Sequence, residues 1–102
     1  MIIYADENSF EKVINSKEIC LVDFYATWCG PCRLLNEEFL KLENNETFNI
    51  VKIDIDECPN LADEYAIEVV PTMYVFKNGK SVQKLTGYLT KEAILKVINN
   101  HI

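Results

Sequence analysis

The chain has 102 residues, 49% of them hydrophobic and 25% charged, which supports one globular domain over residues 1–102 and leaves no material for a second core. Its net charge of −6 and pI near 4.7 argue against nucleic acid as a partner, since that partner favours clustered Lys and Arg. No apolar stretch approaches the ~18 residues of a membrane span, and Met1 to Glu7 has no basic, then apolar, export pattern, so a cytoplasmic protein without membrane contact is expected.

Ile2 to Ala5 is a short edge-strand candidate. Asn8 to Ile14 has helical spacing, with Phe10, Val13 and Ile14 on one side and Asn8 and Glu11 placed as a capping box. Ile19 to Ala26 is apolar on both faces apart from Asp23, as a central strand covered on two sides should be. Arg33 to about Glu43 carries Leu35, Phe39 and Leu42 at helical spacing and runs into the polar bend Asn44-Asn45-Glu46. Ile50 to Ile55 alternates, with Lys52 and Asp54 between Val51, Ile53 and Ile55. Pro59 to Tyr65 reads as a short helix that opens on proline and puts Cys58 at its N-cap. Met73 to Lys77 and Ser81 to Thr86 flank Asn78-Gly79, the signal of a hairpin with a type I′ turn. Thr90 can cap a last helix whose Ile94, Val97 and Ile98 face inward.

The order β-α-β-α-β-α-β-β-α implies an α/β fold, a mixed sheet with helices on both faces. Reaction sites in such sheets lie beyond the carboxyl ends of the strands. There the second strand delivers Trp28-Cys29-Gly30-Pro31-Cys32.

Two thiols three positions apart at a strand-to-helix junction make a redox dithiol. The loop they close is too small to staple a fold, and the core has no need of a disulfide framework. A zinc site would need a second Cys pair; Cys20, Cys58 and the lone His101 lie at unsuitable spacings, so no metal is expected. Haem attachment would want histidine where Arg33 stands, and no Gly-rich dinucleotide loop is present, so no cofactor is expected. Cys29 falls at the helix N-terminus, where free N–H groups and the dipole favour an anion. That effect is worth up to ~2 kcal/mol, or ~1.5 in pKa from ~8.5, which raises the thiolate at pH 7 from a few per cent to roughly half. Cys32, one turn further in, should be more buried and keep its proton. Cys29 therefore attacks and Cys32 resolves, with Gly30 and Pro31 as a tight bridge between them.

The chain resembles the thioredoxin family along its whole length. The matching stretches are Val22-Asp23-Phe24, Ala26-Thr27-Trp28-Cys29-Gly30-Pro31-Cys32, Val51-Lys52-Ile53-Asp54, Val70-Pro71-Thr72, Phe76-Lys77-Asn78-Gly79 and Gly87. A lowered pKa of the attacking thiol is a documented property of that family. The resemblance implies the thioredoxin fold and a monomeric protein-disulfide reductase. Such a protein acts on disulfide-containing clients and is reset by a thioredoxin reductase. It further implies that Asp23 sits beneath the dithiol and exchanges a proton with Cys32, that Lys52 partners Asp23, and that Pro71 is cis and faces the dithiol. Trp28, Val70, Pro71, Gly87 and Tyr88 would form the client surface. On the residues alone, Asp23 could bond to backbone, Lys52 could be solvated and Trp28 could pack in the core. Competing activities are a disulfide oxidase or isomerase, whose members usually carry histidine between the cysteines, and a non-catalytic binding or chaperone subunit.

Two features depart from the family pattern. Glu37 stands where many members have a helix-kinking proline, which bears on the tilt of that helix. The extra cysteines are the other. Cys20 reads as a small buried hydrophobe; the role of Cys58 stays open, with exposure, partial acidification and a regulatory disulfide or adduct as one alternative.

Overall fold

The computed structural model describes residues 1–102. In chain order the elements are β1 (Ile2–Tyr4), α1 (Phe10–Ile14), β2 (Ile19–Tyr25), α2 (Gly30–Lys41), β3 (Asn49–Asp54), α3 (Pro59–Glu64), β4 (Thr72–Lys77), β5 (Lys80–Thr86) and α4 (Lys91–Asn99). The sheet order is β1-β3-β2-β4-β5, with β1, β3 and β2 parallel and the β4–β5 hairpin antiparallel to them. The expected α/β architecture is the observed one.

Strand alternation sorts the core into two layers. Ile19, Leu21, Ile50, Met73 and Val75 face α2 and α4, where they meet Leu35, Phe39, Ile94 and Ile98. Cys20, Val22, Phe24, Val51, Ile53 and Phe76 face α1 and α3 and meet Phe10, Ile14, Cys58 and Leu61. By the same alternation Asp23 and Lys52 fall on the α2 side, and they are register partners across β2 and β3. Lys52 is 4% exposed, so the reading of a solvated lysine fails: β3 is an inner strand covered on both faces.

Three local expectations are corrected. The capping box lies at Asp6 and Ser9 rather than at Asn8 and Glu11. Asp6 Oδ1 accepts from the Ser9 N–H at 2.9 Å and Ser9 Oγ accepts from the Asp6 N–H at 3.0 Å. This reciprocal pair satisfies free amides in a turn that opens α1 two residues later than expected. Helix α2 begins at Gly30, not Arg33, because Cys29 is extended (φ −93°, ψ 115°) and serves as the N-cap, with Pro31 tolerated in the first turn. The dithiol is itself that first turn. Finally, Cys58 is the α3 N-cap as expected but is 2% exposed rather than open to solvent.

Glu37 is exposed on α2, which runs unbroken from Gly30 to Lys41. Its neighbour Glu38 bridges helices: Oε1 accepts from the Lys91 N–H at 2.8 Å, a free amide of the first turn of α4, and Oε2 takes Lys41 Nζ at 2.8 Å. The hairpin turns on Asn78 (φ 52°) and Gly79 (φ 80°), as a type I′ turn requires, and a Cβ at Gly79 would collide with the Asn15 side chain. Phe39 is fully buried at the centre of the α2-side layer. Phe39→Ala should lower the unfolding free energy by about 3–5 kcal/mol, read as a reduced urea midpoint at unchanged slope.

Candidate active site

The site forms where β2 ends and α2 begins. The Cys29 N–H donates to the Ala26 carbonyl and the Arg33 N–H to the Cys29 carbonyl, both at 3.3 Å, while Arg33 Nη2 holds the Thr27 carbonyl at 3.0 Å. These bonds clamp the turn. Cys29 and Cys32 are joined by a disulfide across a Cα separation of 5.3 Å.

The two sulfurs differ in what reaches them. The Cys32 backbone N–H points at Cys29 Sγ at 3.2 Å. Pro31 carries no N–H, so this amide and the helix dipole supply the local positive field. A donor in this position favours negative charge on the sulfur it faces. Exposure, by contrast, hardly separates them: Cys29 is 5% exposed and Cys32 3%. The expected difference in burial is thus slight, because Ala26 and the Val70 loop cover Cys29 as well. Val70 O lies 3.6 Å from Cys29 Sγ, a contact without a hydrogen while the sulfur is in the bridge. The Val70–Pro71 bond is cis, and the Pro71 carbonyl accepts from the Gly87 N–H at 2.9 Å. Gly87 has φ 86°, a conformation that favours glycine. A Cβ at Gly30 would meet nothing within 4 Å, so packing leaves that position open.

Beside the dithiol lies a groove of about 320 Å³ lined by Trp28, Ile55, Ile67, Glu68, Val69 and Val70. Trp28 is 65% exposed, which rules out a core role. Its indole Nε1 donates to Asp56 Oδ2 at 2.9 Å, and Asp56 is oriented in turn by its own N–H on Asp54 Oδ1 at 2.9 Å. Asp56, just beyond the end of β3, escaped the sequence reading because nothing local marks it as an indole partner. Tyr88 is exposed but does not line this groove. Its phenol pKa is raised by desolvation and by the Glu38 carboxylate, which places it near the α2–α4 junction.

Asp23 is completely buried, and neither carboxylate oxygen has a hydrogen-bond partner. Backbone bonding of this side chain is thereby excluded. Burial pushes its pKa up to about 7, against the opposing attraction of Lys52. Lys52 Nζ is 3.9 Å from Asp23 Oδ2, too far for a hydrogen bond, and donates instead to Asn36 Oδ1 at 2.6 Å. Burial lowers the Lys52 pKa, with Asp23 opposing. Asn36 was also invisible in sequence, being one polar residue of a helix.

The remaining thiols are free and buried. Burial raises the Cys20 pKa, in keeping with a small core residue. Burial also raises Cys58, and Glu7, Asp6, Asp54 and Glu57 raise it further, so the alternative of partial acidification fails. The turn of helix behind it cannot outweigh that acidic surround.

The thioredoxin family model matches residues 1–100. The chain belongs to the thioredoxin family. It is 39% identical over 100 residues to thioredoxin 2 of Chlorobaculum tepidum, covering 96% of this chain and 92% of that one. It is 38% identical over 103 residues to thioredoxin of Staphylococcus saprophyticus, covering 99% and 98%. Among solved structures, a mutant thioredoxin from Halobacterium salinarum superposes with a TM-score of 0.91 at 31% identity, over 97% of this chain and 88% of that one. Mitochondrial thioredoxin 3 of Saccharomyces cerevisiae, in its oxidised form, gives 0.85 at 31% identity, over 97% and 94%. The fold is the thioredoxin fold, and the protein is a dithiol–disulfide oxidoreductase of the protein-disulfide reductase type. No helix is long and apolar enough to cross a membrane.

A carboxyl group whose pKa is raised on folding binds more protons folded than unfolded between the two values. Asp23 therefore costs stability as pH rises from about 4 through about 7, and the cost is constant above that. Asp23→Asn should be more stable than wild type at pH 8 by a few kcal/mol, with the gap closing towards pH 4, as measured by urea unfolding of the oxidised proteins across that range.

Proposed function

We propose that Cys29 is the attacking thiolate and Cys32 the resolving thiol in the reduction of client protein disulfides. The single observation that carries this assignment is the Cys32 N–H directed at Cys29 Sγ, a donor that Cys32 itself lacks. In the first step the Cys29 thiolate attacks one sulfur of the client disulfide, forming a mixed disulfide and releasing one client thiolate. Cys32 then gives its proton to the Asp23 carboxylate and attacks Cys29 Sγ. The second client thiolate leaves, and the Cys29–Cys32 bridge remains. Two electrons have passed to the client, and a thioredoxin reductase returns two to this bridge.

Asp23 suits the base role because a pKa near 7 matches the working pH of a proton acceptor. Lys52 tunes that carboxylate, and Gly30 and Pro31 hold the first turn of α2 open at the sulfur. Trp28, Val70, Pro71 and Gly87 serve the client segment, an extended chain laid along the groove beside Cys29. Tyr88 flanks this surface from the α2–α4 side. The protein works as a monomer of one domain. Cytoplasmic residence is supported by the two free thiols, Cys20 and Cys58, which form no structural bridge.

Reduction of insulin, followed by turbidity, tests the assignment. Cys29→Ser should abolish activity and Cys32→Ser should accumulate a mixed disulfide with the client. A Cys29→Ser protein as fast as wild type would end this mechanism. The dithiol potential should lie on the reducing side of about −180 mV; a more oxidising value would favour an oxidase or isomerase.

A further inference from the structure

The Lys52 ammonium is held by helix α2 rather than by the carboxylate beside it. Its Nζ donates to Asn36 Oδ1 at 2.6 Å, lies 4.4 Å from the Tyr25 ring centroid, and stops 3.9 Å short of Asp23 Oδ2. Asn36 follows Cys32 by four residues on α2, so both project from one helix face. Together with Lys52 they line a cleft of about 490 Å³ that shares no lining residue with the client groove.

Aromatic rings surround the ammonium, Phe39 of α2 among them at 5.7 Å, and the Asn36 oxygen is its one side-chain hydrogen-bond acceptor. Tyr4 from β1 and Tyr25 from β2 present aromatic faces to the ammonium, and α2 adds Arg33 and Glu37 at the cleft wall. Asp54 of β3 bears on Tyr25, and β4 sets only Met73 beside Asp23. The bridged Cys29 and Cys32 do not titrate.

We infer that Asn36 is a positioning residue for the resolving step: it captures the Lys52 ammonium and so keeps the Lys52–Asp23 ion pair from closing to a hydrogen bond, leaving this carboxylate basic enough to take the Cys32 proton. The inference rests on the base role proposed for Asp23. A carboxylate in contact with an ammonium is stabilised in its charged form and is a poorer proton acceptor. Held at 3.9 Å, the lysine still moderates the cost of a buried charge without forming the hydrogen bond that would quench the base. In the step itself the S–H bond of Cys32 breaks and its proton forms an O–H bond on Asp23. The Cys32 electron pair then closes the bond to Cys29 Sγ as the client thiolate departs. Asp23 keeps the proton until the bridge is next reduced, when it returns to Cys32.

The test titrates the Asp23 carboxyl by carbon NMR in the oxidised protein, where neither active-site sulfur can ionise. In Asn36→Ala, Lys52 is free to close on Asp23, and the Asp23 midpoint should fall by about one pH unit. In a Lys52→Met background the same Asn36→Ala change should leave the midpoint where Lys52→Met alone puts it, which a mere packing role for Asn36 would not produce. Release of thionitrobenzoate from a mixed disulfide on Cys29 should slow several-fold at pH 7 in Asn36→Ala. An Asp23 midpoint that stays or rises in Asn36→Ala, or that falls equally without Lys52, overturns the inference. If Asp23→Asn leaves the pH profile of thionitrobenzoate release unchanged, the base role itself fails, and with it the catalytic meaning of Asn36; the NMR midpoints separate that outcome from a failure of lysine capture alone.

Discussion

The chemistry depends on β2 running straight into α2, so that one short turn carries both sulfurs. A helix that starts at its own reactive cysteine presents an unpaired amide to that sulfur. Within the same turn the second cysteine has its amide in use and its sulfur without a donor. Two chemically identical side chains thus sit in different surroundings set by backbone geometry. The clamps from Arg33 to Thr27 and from Cys29 to Ala26 keep that asymmetry in register.

Beneath the turn the sheet accepts a cost. Asp23 occupies a position that alternation assigns to the α2-side core, between Lys52 on one neighbouring strand and Met73 on the other. A hydrophobic residue there would continue the layer built by Leu21, Ile50 and Val75. The carboxylate instead forfeits all hydrogen bonding, and its affinity for a proton rises accordingly. Local penalties of this kind persist only where the surrounding structure outweighs them, and here two hydrophobic layers on either side of the sheet do so. The penalty and the raised proton affinity have one origin, the complete burial of Asp23.

Two separate clefts adjoin the dithiol turn, with no lining residue in common. The groove is walled by exposed apolar side chains, with Trp28 steadied by Asp56 and the Val70–Pro71 loop tied to Gly87. The other cleft is polar and holds Lys52 and Asn36.

Much of this was legible in the residues because it rests on short-range rules. The Asn78-Gly79 turn follows from positive φ, the Thr90 cap from a hydroxyl that accepts the Ala93 N–H at 3.2 Å, and the dithiol from its place between a strand and a helix. Family likeness added the cis bond before Pro71 and the proximity of Lys52 to Asp23. Where local rules competed, the reading slipped: Asn8 with Glu11 and Asp6 with Ser9 both satisfy a capping pattern, and only the path of the chain into α1 selects between them. The amino-acid order by itself determined the order of elements, the sheet type and the reactive pair, since each is encoded by spacing within a few residues. Tertiary structure alone decided that Cys58 is shut away among acids, that Trp28 stands in solvent, and that Lys52 bonds to Asn36 and not to Asp23. Those outcomes depend on which distant side chains and how much water share a few ångströms of space, and no spacing along a chain records that.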